Sequence, residues 1–207
     1  MTTTKPMSVP HPVTLRGSRV TLEPLAEEHF APLLAIGKAS PDEFRLTSTP
    51  VTDAEAESYF ATVMAQREAG YAYPFTVRLT ATGEIVGSTR YNALNFADRN
   101  TQIGWTWFRP DQYGTATNVE SKLLMLEFAF TELQFHRVSL RTDFNNHRSR
   151  SAVLALGAKE EGVLRRHMMT RDGTPRDTVV HSIIDLEWPE ARAHIQERLR
   201  RRLGEAG

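Results

Sequence analysis

The sequence predicts one α/β domain built on a central mixed, mostly antiparallel sheet of about six to seven strands flanked by helices. Three observations lead there. Segments of period-2 hydrophobic alternation and segments of helical spacing follow one another in the order β-α-α-β-β-β-α-β-α-β-β, and a last helix closes the chain. The 207 residues, 40% apolar and 24% charged, suffice for one self-supporting core. No internal repeat or low-complexity tract divides them.

Each element carries its own signal. Residues 1–12, broken by Pro6, Pro10 and Pro12, read as a flexible lead-in. A strand covers Arg19–Leu25, where Val20 and Leu22 alternate with Thr21 and Glu23. A helix covers Glu27–Lys38 and ends near Gly37, and Ala39–Pro50 reads as loop. A second helix starts at Thr52 or Asp53 and runs to Glu68, with Asp53, Glu55 and Glu57 near its start, where carboxylates suit the helix dipole. Ala72–Leu79 and Ile85–Leu94 make a hairpin about the turn Ala81–Glu84. Thr101–Phe108 is a strand stopped by Pro110, and strict alternation puts Ile103, Trp105 and Trp107 on one face. Val119, Leu123, Leu126, Phe130 and Leu133 then repeat at helical spacing, and Leu124, Met125, Phe128 and Ala129 widen the apolar face, so this helix belongs at the centre. Strand His136–Asp143 follows, then a short helix Asn146–Leu156 halted by Gly157. Strands Lys159–Met168 and Asp177–Leu186 meet at the turn Arg171–Thr174, and a basic helix runs from Pro189 to Leu203.

Composition narrows the function classes. Lysine plus arginine and aspartate plus glutamate number 25 each, so no global field recruits nucleic acid or an anionic membrane. The absence of cysteine excludes disulfides, a thiol nucleophile and thiolate metal sites. The N-terminus has no apolar signal core, and no run approaches a membrane span, so the expected location is cytoplasmic. Neither H-x-x-x-H nor H-E-x-x-H nor G-x-S-x-G occurs, which gives no metal site and no hydrolase elbow.

The most informative segment is the strand-to-helix turn Trp107–Glu120. Small residues at 114–118 let backbone N–H groups point outward together at a helix N-terminus, a ready site for a diphosphate. Thr117 and Glu120 have capping-box spacing. Lys122 follows Ser121 rather than preceding a hydroxyl, so the turn is not a P-loop, and Gly114 stands alone, so it is not a dinucleotide fingerprint.

Here the sequence resembles the GNAT superfamily, and within it the branch that includes ribosomal-protein N-terminal acetyltransferases. The family turn reads Q/R-x-x-G-x-G/A. Aligned on Glu120, this chain has Tyr113 at the Gln or Arg position, Ala116 at the first motif glycine and Asn118 at the last position. A second block, Asn146-x-x-Ser149 followed by Gly157-Ala158, is similar to the family's N-x-x-S/A helix and Gly-Phe. The resemblance implies a GNAT-like domain over residues 13–188, with 189–207 as a basic C-terminal helix and tail. It also implies acetyl-CoA as cosubstrate, with no metal, and transfer to a primary amine by direct attack in a ternary complex.

The same resemblance assigns residues. The thioester carbonyl would lie against backbone N–H groups near Trp107 and Phe108, where the edge splays. The pyrophosphate would lie on Tyr113, Gly114, Thr115, Ala116, Thr117 and Asn118. Asn146 would line the pantetheine arm while also suiting an N-cap, and Arg148 and Arg150 would meet the 3′-phosphate. Many relatives place an acidic tyrosine seven residues after the motif asparagine, but that position is Val153, so Ser149 is the candidate for the leaving sulfur. His136, His167 and His181 lie on expected strands, and histidine is the residue type suited to proton transfer near neutral pH, though no general base stands out. Tyr91 and Asn92 are placed toward an acceptor pocket, and Asp42, Glu43, Asp53, Glu55 and Glu57 at its mouth would attract a cationic amine. The acceptor is a protein N-terminus or a small amine, and aromatic residues such as Trp188 are candidates for a homodimer contact. Two other classes stand beside this reading: a non-catalytic acyl-CoA-binding module, and an RNA- or ribosome-binding protein using Arg198, Arg200, Arg201 and Arg202, which the neutral composition opposes.

Overall fold

The computed structural model describes residues 7–204; residues 1–6 of the expected lead-in lie outside them. The strands are β1 (Leu15–Arg16), β2 (Val20–Pro24), β3 (Tyr73–Leu79), β4 (Ile85–Asn95), β5 (Asn100–Phe108), β6 (Arg137–Asp143), β7 (Lys159–Met169) and β8 (Pro175–Ile184). The helices are α1 (Phe30–Ala39), α2 (Asp53–Glu68), α3 (Ala116–Glu127), α4 (His147–Leu154) and α5 (Trp188–Leu203). Among the described residues they form one 8-stranded sheet in the order β1-β2-β3-β4-β5-β6-β8-β7. The strand beyond the expected count is β1, two residues too short to show alternation, and part of the expected 39–50 loop coils into a single turn at Pro41–Phe44.

All pairings are antiparallel except β5 with β6. That parallel pair holds only from Asn100↔Arg137 to Ile103↔Leu140. Beyond it β5 continues to Phe108 and β6 to Asp143 unpaired with each other, so the sheet splays open at its middle.

Two cores sit on opposite faces of the sheet. The larger gathers Leu22, Phe75, Tyr91, Ile103 and Phe108 with Val119, Met125 and Leu126 of α3 and Ile195 of α5. The other packs Leu33, Phe44, Phe60, Val63 and Trp107 under α1 and α2. Apolar burial of this kind contributes roughly 25 cal/mol per Å², and the spacing that predicts α3 is the spacing that fills the first core. Trp188 belongs there too: it is buried and stacks on Phe130 at 5.2 Å, so it does not present a dimer surface.

One expectation about faces fails at β5. Ile103 enters the first core and Trp107 the second. The cause is a β-bulge: Arg90 pairs with Gly104 and Ser88 with Trp107, so Trp105 and Thr106 together oppose Thr89. Trp105 takes φ 50°, a left-handed conformation costing about 1–2 kcal/mol for such a residue. The buried Arg90 guanidinium lies 3.6 Å from its ring centroid and holds it there.

The expected capping box is also replaced. Thr115, not Thr117, is the N-cap of α3, its Oγ1 accepting from Thr117 N–H at 3.2 Å. Glu120 is buried and reaches across to the β1–β2 turn, accepting from the N–H groups of Ser18 (3.0 Å), Arg19 (2.7 Å) and Val20 (2.6 Å) and from Ser18 Oγ (2.8 Å). Gly17 leaves room for this carboxylate, since a Cβ there would lie 2.4 Å from it.

Candidate active site

The site is built where the splay, the β5–α3 turn and the bulge meet. Arg109 N–H donates to Val86 O, and Trp107 lies in register with Ser88. In an antiparallel ladder the peptide groups of alternate residues face opposite edges. Those of Trp107 therefore turn to β4, and those of Phe108 turn to the open edge facing β6. The Trp107 side chain is core, its Nε1 donating to Tyr59 Oη at 3.4 Å.

The turn after β5 is preorganised by its own hydroxyls. Gly114 takes φ 76°, and a Cβ there would lie 4.0 Å from Arg202 Nη1, at ordinary contact distance. Thr115 Oγ1 donates to Gln112 O at 2.9 Å, and the buried Thr117 donates to Gln112 Oε1 at 2.8 Å. Ala116 is buried and Asn118 half-buried. The first N–H groups of α3 have no intrahelical acceptor by construction, and the helix dipole adds positive potential there. A cation from the C-terminal helix joins them: Arg202 Nη1 donates to Thr115 O at 3.3 Å. Thus one arginine of the basic run stands at this turn, while Arg200 and Arg201 pair with Glu197 and Arg198 donates to Ala155 O.

Across the splay, Asn146 caps α4, its Oδ1 accepting from Ser149 N–H at 3.0 Å. The Ser149 hydroxyl is half-buried and makes no hydrogen bond among the described residues. Arg148 lies 3.9 Å over the Tyr113 ring and pairs with Glu43 at 3.2 Å, so it spans the mouth between α4 and the turn. Arg150 instead donates to Phe144 O and faces Glu160. The pair flanking Ser149 thus splits, with Arg148 alone beside the turn.

The opposite face opens into a cavity of about 600 Å³. Its walls come from the 45–50 loop, α2, the bulge at Trp105, the end of β6 and the β7–β8 hairpin. Tyr91 and Asn92 do not line it. Tyr91 is fully buried on the α3 face, its Oη donating to Met125 O. The histidines lie elsewhere as well: His136 pairs with Asp185 on the surface, His167 meets Thr178, and His181 is fully buried, its pKa lowered by desolvation. Of the expected acidic mouth only Glu55 lines the cavity.

Two polar residues here carry no motif. Asp143 closes β6 at the cavity wall, its Oδ1 accepting from Asn145 N–H at 2.8 Å. Lys122 is buried against the α3 side of the bulge, its Nζ donating to Thr106 Oγ1 at 2.6 Å and Thr89 Oγ1 at 3.2 Å. Desolvation pushes its pKa down to about 7. A lysine inside an apolar helical run was the one signal the sequence offered for it.

Comparison with known proteins agrees with this architecture. Residues 19–159 match the family model described as an acetyltransferase (GNAT) domain. A 105-residue segment is 33% identical to the uncharacterized N-acetyltransferase YoaA of Bacillus subtilis, covering 50% of this chain and 57% of that relative. The crystal structure of a putative acetyltransferase from T. thermophilus superposes with TM-score 0.81 at 30% identity, covering 92% of this chain and 99% of that one. Mycobacterium smegmatis RimJ in complex with CoA-disulfide shares the fold, with TM-score 0.78 at 24% identity over 91% of this chain and 95% of its own. With a family model spanning more than half its length and the splayed sheet beside a preorganised turn, the chain belongs to the GNAT acetyltransferase family.

Proposed function

We propose that the protein transfers an acetyl group from acetyl-CoA to a primary amine, a small molecule or a protein N-terminus, by direct attack in a ternary complex. One observation carries this reading: two openings on different faces converge on the bulge at Trp105. The unpaired edge of β5 leads to it from the α3 turn, and the cavity leads to it from α2 and the β7–β8 hairpin. A two-substrate transfer needs that arrangement, because the reacting atoms must meet at one point from separate sites.

In this reading the turn at Tyr113–Asn118 holds the diphosphate through backbone N–H groups and the α3 dipole, with Arg202 adding charge. The Phe108 N–H on the open edge stabilises the oxyanion that forms on the carbonyl. The amine nitrogen attacks the carbonyl carbon, the C–N bond forms, and the C–S bond breaks. The amine releases one proton to water, and the thiolate leaves with a hydrogen bond from Ser149 Oγ. Asn146 orients that serine by fixing the first turn of α4.

Calorimetric titration with acetyl-CoA, against CoA and magnesium ATP, tests the first half, and thiol release on adding amines tests the second. The expected result is micromolar binding of acetyl-CoA and amine-dependent thiol release. Binding without release by any amine would return the chain to a non-catalytic acyl-CoA-binding role, and absence of binding by folded protein would remove the cofactor assignment.

A further inference from the structure

Cavity electrostatics run opposite to the expected acidic mouth. Lys38 neutralises Asp53 and Arg148 pairs with Glu43, and neither carboxylate lines the cavity. The charged residues that do line it are Arg45, Arg171, Arg176, Glu55 and Asp143, a formal balance of three cations against two anions. Arg171 is already committed, facing Glu55 at 3.5 Å and donating to Thr49 O.

Arg176 is held by an ion pair alone, with no hydrogen bond to the described residues. It stands at the start of β8, opposite Met168, with its side chain only 18% exposed. Among the described residues its single ionic neighbour is Asp143, Nε to Oδ2 at 3.4 Å, and that contact lacks hydrogen-bond geometry, since the Nε is buried and unsatisfied. Among the described residues none of its N–H groups donates a hydrogen bond. Its Nε is buried without a partner, which is costly unless a ligand completes it, and its Nη groups reach the open cavity with no acceptor among those residues. The fork matches a carboxylate in bidentate geometry. Trp105, Met168 and Met169 give the same cavity apolar walls, and the Asp143 carboxylate beside the fork suits an ammonium group.

We propose that Arg176 is a carboxylate clamp and that the acceptor is a primary amine carrying a carboxylate. This deepens the acetyl-transfer reading and rests on it. The carboxylate is held at Arg176, the arriving ammonium is drawn by Asp143, and the apolar walls take the remainder of the molecule. A free amino acid and a peptide N-terminus followed by an acidic side chain share this chemistry.

Two matched acceptor pairs separate those sources: leucine against leucinamide, and alanyl-glutamate amide against alanyl-glutamine amide. Rates are compared per unprotonated amine by thiol release. The expected result is a preference of about tenfold or more in kcat/KM for the carboxylate member of one pair, the worth of a charge-assisted hydrogen bond. Arg176→Met should erase that preference while leaving acetyl-CoA affinity unchanged. Arg176→Lys, which keeps the charge but not the fork, should retain part of it, and it carries the test if the methionine variant fails to fold. Equal rates within both pairs, or a preference that survives in Arg176→Met, would overturn the clamp. If no acceptor turns over, equilibrium binding of the same four amines decides: preferential binding of a carboxylate member, lost in the variant, supports the clamp, and equal or absent binding overturns it. Failure of the wild type to bind acetyl-CoA would overturn the underlying reading instead, and the amine-binding arm still reports on the clamp.

Discussion

Replacing Lys122 with methionine removes a buried amine and keeps its volume. Among the described residues the lysine meets no carboxylate: its nitrogen reaches the hydroxyls of Thr89 and Thr106, Glu120 on the same helix is bound to the β1–β2 turn, and Arg90 on β4 lies over Trp105. A neutral amine offers two N–H donors and satisfies both; a charged one leaves a third donor without a partner. Its folded pKa of about 7 lies below the ordinary 10.5. The unfolded chain therefore binds more protons between those values, and stability rises with pH across that window, by up to about 1.4 kcal/mol per pH unit. At pH 7 the burial costs about 4 kcal/mol. The methionine variant escapes that cost but loses two hydrogen bonds worth about 1 kcal/mol each, so it should be more stable than the wild type by about 2 kcal/mol. The gain should shrink as the pH rises from 7, vanish at about pH 9, where the remaining cost equals that of the two lost hydrogen bonds, and reverse above it. Urea unfolding of both proteins across that range measures the difference directly. A methionine variant less stable at pH 7, or a difference that ignores pH, would refute the reasoning.

Other perturbations act on the turn and the site. Gly114→Asp places a side chain at a left-handed position and a negative charge at the α3 N-terminus, and calorimetry should find acetyl-CoA binding weakened about tenfold or more. Glu120→Ala strands four donors of the β1–β2 turn, three of them backbone, and should lower stability in thermal melts by about 3 kcal/mol or more. Ser149→Ala should reduce kcat by about tenfold or more with little change in acetyl-CoA affinity, and steady-state kinetics with a separate binding measurement would show the split; an unchanged kcat would assign the leaving group's proton to water.

The sequence carried whatever is local and periodic. Alternation at Val20–Glu23 and Val138–Thr142 gives β2 and β6, and the Val119–Leu133 spacing gives α3 with its buried face. Asn146 is the α4 cap because its side chain needs only a neighbour three residues away. What stayed hidden depends on partners far along the chain. Glu120 has the spacing of a local cap, yet its donors lie about a hundred residues earlier, where four donors outcompete one. Gly104 marks an irregularity in the strand, but the left-handed residue of the bulge is Trp105 beside it, which the stacked Arg90 stabilises from the neighbouring strand, a partner outside the local sequence. The cavity's charge was misread because Glu43, Asp53 and Glu55 looked unopposed in sequence, while their cations come from three separate helices and hairpins.

The bulge also separates what the fold needs from what the opening needs. Trp107 pairs with Ser88 and Gly104 with Arg90 on either side of it. A chain one codon shorter between those pairs would keep Trp107 and Phe108 on the faces they hold now, since ladder partners share a face. Both cores would be filled as before, while the strand would lose its bow and the crevice its shape. A single-residue deletion that folds with a native near-ultraviolet spectrum but no longer retains acetyl-CoA would mark the surplus residue as a functional insertion, tolerated by the scaffold and kept for the site.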